Sequence, residues 1–424
     1  MMIAHEQNRD VEPGQTYLEA QTKIAHAPLR SQDEARLSEA PSASVLDGVH
    51  TQVDVPNTLD LSERLRQALV PLTNRFFPDQ RWMHGFHVLP TAPYCMAATE
   101  PETGWLSLVP KFIEAQVYAR LASGSDLNLD VDRKLLATQL GLLGEDGLSY
   151  DPAEVLPDLD KPRGWSEIWA EGRWLETLAV LAQIDRGSRW ERIAQRKVDR
   201  LLSLTGRKDG FLFFAEKRFY PGSTAPRVAD EPKPAVFEEP VLHAENDPCW
   251  HAAYCIGAVA NGAGRFYRAS GYEPAYRLCE GLSRCALARI YTHADGRYFV
   301  NHFYHGVYPL IALAEYAVLS QDTKVFDRVR SCYQWARAMG DPLTGFYAGN
   351  MPGGGLFERR VPEYMEVCAL ANLILVALAL SRSGVEDCWD DVDCWVRNQY
   401  AQAQMLDVDY ISNHRAGFHG HARG

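Results

Sequence analysis

Several segments of this chain combine carboxylates with histidines and aromatic residues, the side-chain types that bind and cleave sugars. One of these segments runs from residue 358 to residue 368 and holds Glu358, Glu363, Glu366 and Cys368. Cleavage of a glycosidic bond needs a carboxylic acid that protonates the leaving oxygen, together with a base or a nucleophile. We therefore expect the acid to be one of these three glutamates, and the nucleophile to be a second carboxylate or the Cys368 thiolate.

Aromatic residues and histidines cluster in corresponding loops of the chain, ahead of its most apolar helices. Aromatic rings stack on the C–H faces of sugars, while imidazoles bind hydroxyl groups. A single histidine in such a place is more often a structural residue, so it is the clustering that favours sugar binding. The residues predicted to bind substrate are Trp82, His84, Trp174, His243, Trp250, His302 and His305.

Two short motifs leave alternatives open. His302 and His305 are three residues apart at a predicted helix start, so both rings can face one side. They suit a sugar hydroxyl, a structural role, or a metal if a further ligand joins them. Glu366 and Cys368 begin the last apolar helix and can both bind zinc, because a helix N-terminus also favours a thiolate. The alternative is a carboxylate at a helix N-terminus beside a buried cysteine.

A helical hairpin that recurs from about residue 104 onward is expected to position these residues. Each unit has an apolar helix, a short turn, an amphipathic helix and an Asp/Gly-aromatic loop; residues 251–264 and 190–202 exemplify the two helix types. Helices apolar on all sides are buried, whereas helices with one apolar stripe lie at the surface. An inner ring of helices inside an outer ring satisfies both patterns. The sequence therefore predicts an all-α protein, an (α/α)6-type toroid of helical hairpins.

The predicted domain organisation is a single toroid between two tails. Residues 1–55 lack hydrophobic periodicity and are rich in Glu, Gln, Ala, Ser and Pro, so we expect a disordered N-terminal tail. The toroid domain is predicted over residues 56–407. Residues 408–424 look unlike a packed element, and we expect a flexible C-terminal tail there.

Composition and charge exclude several classes of protein. The 43 basic and 55 acidic residues give a net charge of −12 without any basic block, which argues against nucleic acid as a partner. The longest apolar run, residues 367–380, is shorter than the roughly 20 residues that span a bilayer. We see no secretory signal and predict a cytoplasmic protein without a membrane partner. Nine cysteines, an odd number, argue against a disulfide framework, and the oligomeric state stays open.

The segment from Glu366-Val367-Cys368 through the apolar helix to Gln399 resembles the helical-barrel glycosidases related to glycoside hydrolase family 127, the β-L-arabinofuranosidases and their relatives. Residues 301–305 and 345–347 are also similar to that group, and the resemblance covers about residues 100–405. It implies a fold like that of the six-hairpin glycosidases and a carbohydrate substrate. It further implies that Glu366 and Cys368 are zinc ligands, with Glu358 or Glu363 as the acid/base. In that family two later, adjacent cysteines also bind the zinc and one of them is the nucleophile, but no such pair follows Cys368 here.

The most favoured function is therefore a glycoside hydrolase-like enzyme, and a shortened or inactive member of the group is a further possibility. A sugar isomerase or epimerase on the same toroid is one alternative, in which His302 and His305 move protons beside a carbonyl. A sugar-binding protein without catalysis is another, and the missing cysteine pair favours it. The toroid by itself does not decide between these functions.

Overall fold

The computed structural model describes residues 59–74, 76–77, 83–84, 87–91, 94–98, 104–150, 164–224, 248–298, 303–349 and 365–404. The chain divides into two compact units. Within the described ranges, the first unit holds the residues up to 145 together with 149–150 and 164, and the second holds 146–148 and 165–404. Residues 1–55 and 408–424, the predicted tails, lie outside the described residues, and the predicted domain limits stay a prediction.

The first unit contains helices and two short antiparallel hairpins. Its elements are helix α1 (Leu61–Asn74), strands β1 (Phe76–Phe77), β2 (Met83–His84), β3 (His87–Thr91) and β4 (Tyr94–Ala98), a π-helical turn (Gly104–Leu108), and helices α2 (Val109–Ser123) and α3 (Leu129–Gly141). Strand β1 pairs with β2, and β3 pairs with β4. Helix α1 packs on α2.

Helix α1 contains Pro71 in its last turn. A proline inside a helix removes one backbone donor and usually bends or breaks the helix. The end of α1 is held from outside, because the Gln116 side chain on α2 donates a 2.7 Å hydrogen bond to the carbonyl of Leu72. The Leu72 carbonyl is one of the last four of α1, which have no donor within the helix, and α2 thus supplies that donor.

The second unit consists of helices in consecutive pairs with short strands between them. Its elements are strand β5 (Ser166–Glu167), helices α4 (Ile168–Ile184) and α5 (Arg189–Leu204), strands β6 (Gly206–Lys208), β7 (Phe211–Phe213) and β8 (Arg218–Phe219), helices α6 (Pro248–Ser270), α7 (Glu273–Arg289), α8 (Phe303–Ser320), α9 (Thr323–Arg337), α10 (Val367–Arg382) and α11 (Trp389–Trp395), and a π-helical turn (Val396–Tyr400). Strand β5 pairs with β8, and β6 pairs with β7, both antiparallel.

The two helices of each pair bury different amounts of surface, as the sequence predicts. Helix α4 is buried along nearly its whole length, whereas α5 buries a single stripe that includes Trp190, Val198 and Leu201. Helix α4 packs on α6, α6 on α8, and α8 on α10, while each second helix packs back on its own partner. We call α4, α6, α8 and α10 the inner helices. Their side-by-side packing forms the core of this unit.

Glycines let the inner helices α4 and α6 approach closely. A Cβ atom added to Gly172 would lie 2.5 Å from the backbone of Ala258, and one added to Gly262 would lie 2.9 Å from the carbonyl oxygen of Gly172. Contacts this short are sterically forbidden, so only glycine fits at the crossing. The close approach brings the middle of α6 against the first half of α4.

A buried ion pair fastens the outer helix α5 to α4. The Lys197 Nζ of α5 donates a hydrogen bond to Glu171 Oε2 of α4, and both side chains are almost completely buried. Ser166 donates a 2.8 Å hydrogen bond to the other carboxylate oxygen of Glu171. Burial lowers the pKa of Lys197, while the Glu171 carboxylate acts in the opposite direction.

Among the described helices, none has an apolar stretch sufficient to cross a bilayer.

Candidate functional site

The starts of the inner helices α4, α8 and α10 hold the polar residues that form the candidate site. The start of α4 is fixed by the β5–β8 pairing and by the backbone N–H of Ile168, which donates a 2.9 Å hydrogen bond to the carbonyl of Lys217. Helix α8 begins at Phe303, whose N–H bonds to the carbonyl of Gly349 at 2.9 Å. Anchored helix starts give the side chains on them a defined position.

Glu176 on α4 is the centre of a buried polar network. Its side chain is 1% exposed. Its Oε1 accepts hydrogen bonds from the hydroxyl of Tyr308 on α8 at 2.7 Å and from the amide of Asn261 on α6 at 2.5 Å. Its Oε2 accepts from Nη1 of Arg173 at 2.6 Å. Because three donors occupy this carboxylate, it holds three helices in register and is not available to act on a ligand.

Arg173 links the buried network to the start of α8. Its Nη2 donates a 2.6 Å hydrogen bond to the hydroxyl oxygen of Tyr304. The guanidinium lies 4.3 Å from the ring centroid of Tyr308 and 5.8 Å from that of Trp169. Such cation–ring contacts add to the attraction of the carboxylate. The Arg173 side chain is 14% exposed, so its charge sits at the edge of the buried region.

Tyr304 connects the Glu176–Arg173 network to the start of α8. Its ring stacks on that of Tyr308, with centroids 5.5 Å apart and planes at 14°. Burial raises the pKa of Tyr304 to about 12, although the Arg173 charge opposes this shift. Burial also raises the pKa of Tyr308, well above its usual range. Because Arg173 donates to the Tyr304 oxygen, the hydroxyl hydrogen of Tyr304 points away from the guanidinium.

Glu366 and Cys368 form a thiol–carboxylate pair at the start of α10. The Cys368 Sγ donates a hydrogen bond to Glu366 Oε2 over 3.4 Å. Cys368 is exposed, so the sequence-based alternative of a buried cysteine beside a helix-terminal carboxylate is wrong. A position in the first turn of a helix favours the thiolate. Helix α10 packs on α8, whose start carries Tyr304.

The zinc predicted at Glu366 and Cys368 lacks further ligands among the residues that the structure describes. Protein zinc sites use three or four protein ligands. In the described ranges, no group of three or more histidine, cysteine, aspartate or glutamate side chains is placed to hold a metal ion. Cys388 is buried, and the Cys394 thiol bonds to the carbonyl of Leu343. The described residues alone therefore supply two of the three or four ligands that zinc needs. The zinc at Glu366 and Cys368 stays a prediction, and no catalytic step is derived through it.

The other predicted site residues fall in different places. Trp174 lies in α4 and is 1% exposed, within the core. His305, in α8, is buried, with its ring 5.4 Å from that of Tyr304. Trp250 lies in the first turn of α6 and His84 in β2. Outside the described residues are Trp82, His243, His302, Glu358 and Glu363.

Sequence reasoning missed Glu176, Asn261 and Tyr308. The sequence does contain a signal for them, because each is a polar residue within an inner helix that is otherwise largely apolar. A buried polar group almost always has a hydrogen-bond partner. Three of them on separate buried helices indicate a shared network, but their pairing depends on helix neighbours that are distant in sequence.

Comparison with known proteins gives a fold but no family. Neither the known protein-family models nor the curated proteins match this sequence. Among solved structures, a cellobiose 2-epimerase from Spirochaeta thermophila matches with a TM-score of 0.50 and 13% identity, over 80% of this chain and 85% of that one. A GH76 α-mannanase from Bacteroides thetaiotaomicron matches with a TM-score of 0.49 and 13% identity, over 76% and 81%. A sugar epimerase from a ruminal bacterium matches with a TM-score of 0.49 and 11% identity, over 79% and 85%.

The match to the cellobiose 2-epimerase establishes the fold class. The chain is an all-α protein of the (α/α)6 toroid type, built from helical hairpins, and this confirms the sequence prediction. At 13% identity the likeness extends to the fold alone. The function has to be argued from the candidate site.

Proposed function

We propose that this protein is a carbohydrate-active enzyme whose substrate binds at the starts of the inner helices, beside Glu366, Cys368, Arg173 and Tyr304. The observation that carries the proposal is the exposed Cys368 thiol, hydrogen-bonded to Glu366 at the start of a helix that packs on the helix carrying Tyr304. Tyr304 is in turn held by Arg173. Nucleophile, base and fixed hydrogen-bond donors in one place are what group transfer at a sugar requires. The toroid fold is compatible with this role.

Glycoside hydrolysis is the reaction that the Glu366–Cys368 pair supports best. Glu366 accepts the thiol proton, and the Cys368 sulfur attacks the anomeric carbon as the bond to the leaving oxygen breaks. Glu366 then delivers that proton to the leaving oxygen. In the second half, Glu366 takes a proton from water, the hydroxide displaces the sulfur, and the proton returns to the thiolate. Tyr304, held by Arg173, donates a hydrogen bond to a sugar oxygen.

The hydrolase proposal is tested with a panel of 4-nitrophenyl glycosides, including the β-L-arabinofuranoside. Wild-type protein is expected to release 4-nitrophenol from at least one of them. Cys368→Ser and Glu366→Gln should each lower kcat at least about a hundredfold, the usual size of an acid–base or nucleophile contribution. Cys394→Ser, which alters a cysteine hydrogen-bonded to a backbone carbonyl, is the matched control and should retain activity. Full activity in Cys368→Ser would refute the mechanism.

Sugar epimerisation is the second candidate, and the Arg173–Tyr304 hydrogen bond of 2.6 Å favours it. A tyrosine hydroxyl fixed by a guanidinium can polarise a carbonyl oxygen while a neighbouring base removes the proton from the adjacent carbon. His305, whose ring lies beside Tyr304, is the nearest described imidazole. Incubation with cellobiose, D-mannose and L-arabinose, followed by NMR, would reveal a new epimer or ketose. Tyr304→Phe should suppress it, and cleavage without epimer formation would exclude this candidate.

We propose kinship with family 127 and zinc binding through Glu366 and Cys368 as an alternative to the mechanism in which Glu366 transfers protons, and the Glu-x-Cys motif supports both. A bound zinc would stabilise the Cys368 thiolate. Metal analysis of purified protein should give close to one zinc per chain, and Cys368→Ser should remove it. Zinc that persists in Cys368→Ser would show that the metal binds elsewhere.

A further inference from the structure

Helix α10 carries a single polar side chain among its described buried residues, Asn372. The other buried positions of this helix are alanine, leucine, isoleucine or valine. Asn372 is 7% exposed, and its Nδ2 makes no hydrogen bond within the part of the chain that the structure describes. Buried amides normally find partners, so an orphaned one needs an explanation.

The position of Asn372 connects it with the candidate site. It follows Cys368 by four residues, and residues four apart lie on the same face of a helix, one turn from each other. Cys368 is exposed while Asn372 is buried, so this face of α10 runs from the accessible thiol toward the interior. A ligand seated against the thiol has Asn372 one helical turn beneath it.

The chemistry of the side chain indicates what it would bind. An unpaired amide costs folding free energy, and a leucine of similar volume would avoid that cost. The Nδ2 group offers donors to a neutral oxygen such as a sugar hydroxyl or ring oxygen. Resting on the proposed function, we propose that Asn372 is a specificity-determining residue that donates a hydrogen bond to an oxygen of the sugar bound at Cys368.

The test compares two asparagines of nearly equal burial that differ in their partners. Asn372→Leu removes the orphaned amide, whereas Asn261→Leu, the matched control, removes an amide that is hydrogen-bonded to Glu176. Without ligand, Asn372→Leu is expected to keep or raise Tm by about 2 °C, and Asn261→Leu to lower it by several degrees. Asn372→Ala is measured alongside, because alanine fits the helix even if the leucine side chain does not pack against the neighbouring residues.

Affinity for the 4-nitrophenyl glycosides and for cellobiose, D-mannose and L-arabinose completes the experiment. Both Asn372 variants should bind about five- to tenfold more weakly than the wild-type protein to whichever probe the wild type binds, the usual effect of losing one neutral hydrogen bond. A sharp fall in the Tm of both variants would overturn the inference, since the amide would then be structural. Unchanged affinity would overturn it too, while leaving the proposed function intact. If wild-type protein binds none of the probes, the proposed function fails, and the inference fails with it.

Discussion

The buried pair of Arg173 and Glu176 makes the most specific energetic prediction. Removing one partner of a buried ion pair typically costs about 3–5 kcal/mol, because the remaining charge is left uncompensated. Glu176 is 1% exposed, but Arg173 is 14% exposed and keeps some access to water. In Glu176→Gln, moreover, the side-chain oxygen still accepts from Tyr308 and Asn261. We therefore expect Glu176→Gln to lower the free energy of unfolding by about 2–3 kcal/mol, below the full cost.

The converse change, Arg173→Met, leaves the Glu176 carboxylate buried with only the neutral donors Tyr308 and Asn261. Its expected cost is about 3 kcal/mol. The double variant carries no uncompensated charge, so its cost should be about 3 kcal/mol and not the sum of the two. The resulting coupling energy is about 2–3 kcal/mol, at the upper end of values for residues in contact.

Urea unfolding at pH 7 of the wild type, the two single variants and the double variant measures this coupling. The control is a double-mutant cycle on the exposed pair Asp393 and Arg397, whose side chains are 64% and 50% exposed. Exposed pairs on helices couple by only about 0.3–0.5 kcal/mol. If Arg173 and Glu176 couple no more strongly than this control pair, the two residues do not form the network hub described above.

Three further predictions concern the core and its titrating groups. Gly172→Ala should destabilise the protein by about 1–3 kcal/mol or more in urea unfolding, because the new Cβ would meet the Ala258 backbone at 2.5 Å; a neutral effect would mean that α4 and α6 are further apart. Burial raises the pKa of the Glu315 carboxyl above 4.5, so the native state keeps this proton at pH values where the unfolded state loses it. The free energy of unfolding therefore falls as the pH rises from about 4.5 through the raised pKa. Glu315→Gln should accordingly stabilise the protein at pH 7 more than at pH 4, and equal effects at both pH values would contradict the shift. Lys197→Met should cost about 3–5 kcal/mol by leaving Glu171 buried and charged, whereas a stabilised variant would show that Glu171 has enough other partners.

The repeating hairpin could be predicted because its determinants are local in sequence. The Asp-Gly pairs that were expected to close the hairpins all contain a glycine with positive φ: 93° at Gly147, 85° at Gly210 and 83° at Gly296. Gly296 also packs so closely on the carbonyl of Ser331 that a Cβ atom would lie 2.2 Å from its oxygen. Turn chemistry and helix burial are read from a few neighbouring residues, so they predict elements and their order well.

The candidate site could be predicted only in part, because its contacts join distant residues. The motif Glu366-Val367-Cys368 was recognised in sequence, and the pair indeed makes contact at the start of α10. The exposure of Cys368 could not be foreseen, since it depends on what packs against that helix end. The Glu176 network was missed for the same reason, because its partner Asn261 is 85 residues away. Which polar residues share a buried face is decided by helix packing and not by spacing along the chain.

Alkylation of the cysteines by iodoacetamide, followed by peptide mapping, tests most directly whether sugars bind at Cys368. Without ligand, Cys368 should react first among the cysteines whose side chains the structure describes, because it is exposed. Cys279, by contrast, is buried, and burial raises the pKa of its thiol well above the usual range. A saturating concentration of the glycoside or free sugar that the protein binds should slow the modification of Cys368 at least about tenfold, while Cys394 keeps its rate. An unchanged rate at Cys368 under saturation would contradict the account, because the sugar would then bind away from the starts of the inner helices.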